Sequence, residues 1–169
     1  MTKSIILAAF FSLTSLISFS QNEKPFRDEF TLKLPVDGEQ FYEQKVLKSP
    51  FFVKDNVLQI YPGESLFIEV EKTKNEITSM KVVKVNVQPE KTLIVELTQT
   101  VKERKSESMI LKVINPFDSD LNYKVLMYIV GQSKWIPTDV FPVKAKLTGY
   151  ETWSDIIITM VLSDWKFKK

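Results

Sequence analysis

Three small groups of side chains in this chain have types and spacings that could carry chemistry. Asp118, Asp120 and Asn122 alternate as the first ligands of an EF-hand calcium loop do. Such a loop then needs a glycine and a closing glutamate, and Tyr123 and Ile129 stand in those places. The group is therefore read as a turn whose side chains cap their own backbone. Trp135, Tyr150 and Trp153 crowd toward the C-terminal end, beside turn residues such as Gly131 and Gly149. Exposed rings of this kind suit stacking on sugar rings, whereas buried ones fill the space between sheets. Placed in connections, these three are the candidate binding residues. Glu151 and Asp155 form the third group. Glycoside hydrolysis uses two carboxylates set across a cleft, a separation that four residues of loop do not establish. They are read as solvated acids, and no catalytic residue is assigned.

Two absences narrow the chemistry further. The chain has no histidine and no cysteine. Zinc or copper centres built on those ligands are excluded, as are Ser-His-Asp and Cys-His catalysis. No metal site and no cofactor is expected. A formal charge of +2 is too small for a nucleic-acid-binding face, and 44% hydrophobic residues is too many for a disordered chain. The basic ending Trp165-Lys166-Phe167-Lys168-Lys169 reads as a strand whose lysines face solvent and blunt an edge.

The elements that must position these residues are strands. Leu66, Ile68 and Val70 alternate with more polar neighbours, as do Leu93, Val95 and Leu97, then Met109, Leu111 and Val113. Phe30, Leu32 and Leu34 do the same, as do Val83, Val85 and Val87, and at the end Trp165 and Phe167. Period two marks strands with one buried face. Tyr123–Val130 and Ile156–Leu162 are apolar on both faces, as central strands covered on both sides are, or as strands at an interface. Asp37-Gly38 and Pro62-Gly63 are turn pairs, while Pro137 and Pro142 demote residues 136–143 to an edge or a bulge. The one helix the pattern tolerates is a short one around residues 148–155. The expected fold is all-β: an antiparallel, immunoglobulin-like β-sandwich of about nine or ten strands. A small closed barrel is the alternative, because it shows the same alternation.

Residues 1–20 read as a secretory signal: Lys3, then the uncharged apolar run Ser4 to Phe19, then small residues ahead of a cut after Ser18 or Ser20. The run is short against the roughly 20 apolar residues of a spanning helix, so no lasting anchor is expected after cleavage. The junction Ser18-Phe19-Ser20-Gln21 resembles signal peptides of the Bacteroidetes group of bacteria. Residues 21–28 read as a flexible lead-in, and 29–169 as a single domain. The segment Ile110 to Asn115-Pro116, followed by Leu121-Asn122-Tyr123, resembles the paired core strands of bacterial immunoglobulin-like domains. That resemblance covers about 25 residues and implies a fold but no activity.

The expectation for function is an exported, non-catalytic binding or assembly domain, periplasmic or extracellular. Its partner would be a protein or a glycan, met through loop aromatics or an exposed strand edge. A carboxylate-dependent enzyme acting on glycans and a structural subunit of an envelope complex are the alternatives. Oligomeric state is not legible at this level.

Overall fold

The computed structural model describes residues 21–168. The export signal expected at residues 1–20 lies outside the described residues. In chain order the strands are β1 (Phe26–Arg27), β2 (Phe30–Asp37), β3 (Gln40–Val46), β4 (Ser49–Pro50), β5 (Phe52–Lys54), β6 (Val57–Ile60) and β7 (Ser65–Thr73). They continue with β8 (Glu76–Val83), β9 (Thr92–Lys102), β10 (Lys105–Ile114), β11 (Asp120–Ile129), β12 (Ile136–Thr138), β13 (Thr148–Trp153) and β14 (Ile157–Lys168). A single 3-10 turn, Pro89–Lys91, lies between β8 and β9.

The first sheet runs β13-β10-β9-β7-β8 and the second β12-β11-β14-β6-β5, antiparallel throughout. Both are open at their ends, which sets aside the closed barrel. The alternation explains the layering. Leu93, Val95 and Leu97 of β9 and Met109, Leu111 and Val113 of β10 are all fully buried, facing Val125, Met127, Met160 and Leu162 of the second sheet. Trp165 belongs to the same core, stacked on Tyr123 at 5.2 Å between ring centres, with its indole N–H donating to the Asn56 carbonyl at 2.9 Å.

The two runs that are apolar on both faces acquire their second cover from the chain itself. The β2–β3 hairpin lies outside both sheets and brings Leu32, Leu34 and Val46 onto Tyr61 and Ile158, with Tyr128 and Ile156 partly buried alongside. A β-bulge makes this fit. Tyr128 pairs with Thr159 and Ile129 with Ile157, so Ile158 is the extra residue and turns away from the main core.

Three expectations are corrected. Residues 148–155 contain a strand, not a helix: β13 pairs with β10 at six positions from Ile114↔Thr148 to Met109↔Trp153. The alternation of Val83, Val85 and Val87 outruns its strand. β8 ends at Val83, and Val85 and Val87 are exposed. The segment 21–28 is not a loose lead-in. Asn22 exchanges side-chain hydrogen bonds with the Val85 backbone at 2.8 and 2.9 Å, the Lys24 N–H donates to the Val82 carbonyl, and β1 pairs with β4.

Candidate functional site

The three candidate aromatics do not form one platform. Trp135 lies in the connection leading into β12, 42% exposed, its ring 5.4 Å from that of Tyr128. Tyr128 faces away from the main core, so this ring pair is on the outer side of the second sheet. Tyr150 sits in mid-β13, 63% exposed, opposite Lys112 on the outer side of the first sheet. Trp153, three positions on, therefore points to the other face. There it packs against the core and donates its indole N–H to Thr138 Oγ1 at 3.2 Å. Trp135 and Tyr150 are surface rings on different sheets, and Trp153 is a packing residue.

The acidic groups are engaged by the fold. A Glu151 carboxylate oxygen accepts the Phe141 N–H at 2.7 Å, and its charge lies near buried Tyr123. Asp120 accepts from Lys144 Nζ at 2.8 Å and from the Ala145 N–H at 3.0 Å, which holds its carboxyl below the usual range. Asp118 pairs with Lys146 at 3.1 Å. Asp118 and Asp120 thus tie down the 139–147 connection. Among the described residues no cluster of three or more acidic side chains could hold a metal ion.

That connection has its own anchor. Asn115 is fully buried and its amide nitrogen donates to the carbonyls of Ser119, Val143 and Lys144, while its oxygen accepts the Phe117 N–H. Val143 forms a bridge with Leu121 and stands against Gly149, where a β-carbon would come within 2.7 Å of Val143 Cγ2. Gly149 lets the connection close the side of the sandwich beneath β13.

A second polar centre was not visible in the sequence. Arg27, 2% exposed, forks onto Glu64, Nε to Oε1 at 2.8 Å and Nη2 to Oε2 at 3.2 Å. Its other donors reach Ser49 Oγ and the Pro50 carbonyl from Nη1, and the Gln59 carbonyl from Nη2. The guanidinium lies between the rings of Phe51 and Tyr61, 4.6 and 5.0 Å from their centres. Every one of its N–H groups has an acceptor, so Arg27 itself has no donor left for a ligand in the groove beside it. Arg27 fastens β1 to the turn before β7.

What the molecule does offer is a free backbone edge. β13 hydrogen-bonds to β10 on one side and, among the described residues, has no strand on the other. The other edges of the two five-stranded sheets are defended. β8 carries Lys81, and its end is covered by residues 22–24; β12 is three residues long with Pro137 in the middle; β5 is three residues ending in Lys54. β13 reads Thr-Gly-Tyr-Glu-Thr-Trp, with neither lysine nor proline, and pairs with β10 without a bulge. Glu151, its one charge, is drawn onto the Phe141 N–H. Thr148, Tyr150 and Thr152 face outward, with exposed Leu147 before them and Phe141, 80% exposed, nearby. The sequence signal for this edge was the lack of lysine and proline, which becomes readable only once β13 is known to be terminal. No known protein family, no curated protein and no solved structure matches the chain.

Proposed function

We propose that this chain is an exported, non-catalytic binding or assembly domain of the bacterial envelope, an immunoglobulin-like sandwich that meets a protein partner through the free edge of β13. The observation that carries the reading is the contrast among the edges of the two five-stranded sheets: among the described residues, β13 alone is six residues long with no lysine, proline or bulge and no strand on its outer edge. An undefended edge presents unpaired N–H and C=O groups, and an added strand satisfies them. Export rests on the character of residues 1–20, followed by a chain without cysteine that relies on packing alone. The glycan alternative now rests on two separate surface rings, Trp135 beside Tyr128 and Tyr150 on the other sheet, since Trp153 is packed inward. The carboxylate-enzyme alternative loses support from Glu151, whose carboxylate is bound to the Phe141 N–H.

The test has two arms. N-terminal sequencing of the protein recovered from the envelope or medium is expected to begin at Phe19 or Gln21; an intact Met1 defeats export. Capture from envelope extract is then compared between the wild type and Tyr150→Pro, which blocks strand pairing at the edge. Loss of a captured protein in the variant supports the reading. Unchanged capture defeats it, as would turnover of a glycan by the wild type.

A further inference from the structure

We propose that the strand which pairs with β13 is the β13 of a second copy, so that two first sheets join into one continuous antiparallel sheet about a two-fold axis through Tyr150. This deepens the reading of β13 as the binding edge and rests on it. The argument is one of register. In a continuous sheet, opposed residues must lie on the same face, so a two-fold axis perpendicular to the sheet passes through a residue rather than between two. Only the two central positions of β13 leave a long overlap. An axis at Glu151 sets that carboxylate against its own copy, and like charges directly opposite are destabilising. An axis at Tyr150 opposes no like charges.

The pairs made by the Tyr150 register are complementary one by one. Tyr150 meets Tyr150 of the other copy on the outer face, an aromatic pair. Thr148 meets Thr152 twice, the hydroxyl pairing that sheets favour. Gly149 meets Glu151, so no second charge opposes that carboxylate. Exposed Leu147 meets Trp153, adding an apolar contact at each end. No main-chain group of the 139–147 connection bonds a main-chain group of β13; its backbone-to-backbone bonds run to Phe117, Leu121 and Asn115 and within itself, and its link to β13 is the Phe141 N–H donated to the Glu151 side chain. Pairing of about five residues per copy buries less than a standard interface, so the dimer is reversible and concentration-dependent.

Sedimentation of the purified protein over a wide concentration range tests this. The wild type is expected to pass from monomer to dimer. Tyr150→Lys, which places two ammonium groups across the axis on an exposed face, is expected to weaken the dimer at least about tenfold. Thr148→Lys/Thr152→Lys and Thr148→Glu/Thr152→Glu are each expected to be monomeric with unchanged circular dichroism, and their mixture to form a one-to-one heterodimer. That restoration reads the register itself, which a merely destabilised fold would not give. Tyr150→Cys, in a chain with no other cysteine, is expected to cross-link to its own copy through a short bis-maleimide. A monomeric wild type at every concentration overturns the inference, and so does a dimer indifferent to the two charged variants. If the monomer nevertheless captures an envelope protein that Tyr150→Pro loses, the edge reading stands and self-pairing alone has failed.

Discussion

Arg27 and Glu64, 37 positions apart, meet in a two-pronged ion pair at 2.8 and 3.2 Å in which Arg27 is almost completely buried. Removing one member leaves the other charge out of water and uncompensated. Arg27→Ala and Glu64→Ala are each expected to cost about 3–5 kcal/mol, read as the shift in a urea unfolding curve. Arg27→Lys should fall near the alanine value, because an ammonium cannot reach Glu64, Ser49, Pro50 and Gln59 together. Arg27→Met/Glu64→Leu should be milder than either single alanine change, since no charge is then stranded.

Asn115 holds the 139–147 connection through three backbone carbonyls. Asn115→Leu is nearly the same size but leaves those carbonyls without their donor. A loss of about 1–3 kcal/mol is expected. Hydrogen exchange should show the opening first at Val143–Leu147, whose amides bond Leu121, Asp120, Phe117 and Lys144.

At Gly149 the constraint is space. The β-carbon of Gly149→Ala would lie 2.7 Å from a Val143 methyl that is itself buried. A cost of about 1–3 kcal/mol is expected. Adding Val143→Ala should recover part of it, so the double-mutant cycle is non-additive in the relieving direction.

Stability should fall at both ends of the pH scale, for different reasons. Hydrogen bonds from Lys144 and the Ala145 N–H lower the pKa of Asp120, and Lys124 does the same for Asp164. The stability these acids contribute is present above the ordinary aspartate value of about 3.9 and is lost as pH falls through their folded values. Burial first, and the Glu151 charge second, raise the pKa of Tyr123. Its contribution is complete below about pH 10 and is lost as pH rises toward and through the folded value. Unfolding midpoints across the range check both limbs. Asp120→Asn should flatten the acid limb and leave the alkaline one as it was.

The layers were legible because period two reports which face of a strand is dry. It placed Leu93, Val95, Leu97, Met109, Leu111 and Val113 in one core correctly. It could not say where a strand stops. Val85 and Val87 keep the rhythm, yet the Asn22 side chain takes the Val85 backbone groups and the chain leaves the sheet toward Pro89. Nor could alternation identify Arg27, whose five acceptors are scattered over positions 49 to 64 and converge only when β1 meets β4. The aromatics Trp135, Tyr150 and Trp153 were found by type, but placing Tyr150 and Trp153 in a connection hid that they share a strand and face opposite ways.

The order of strands in the second sheet has a temporal consequence. β14 lies at the centre of the second sheet, with β11 on one flank and β6 on the other, and it supplies Ile157, Met160, Leu162, Trp165 and Phe167 to the main core. A growing chain that lacks residues 157–168 has two unjoined halves of a sheet and no middle. The second sheet therefore closes only when residues 157–168 have joined it.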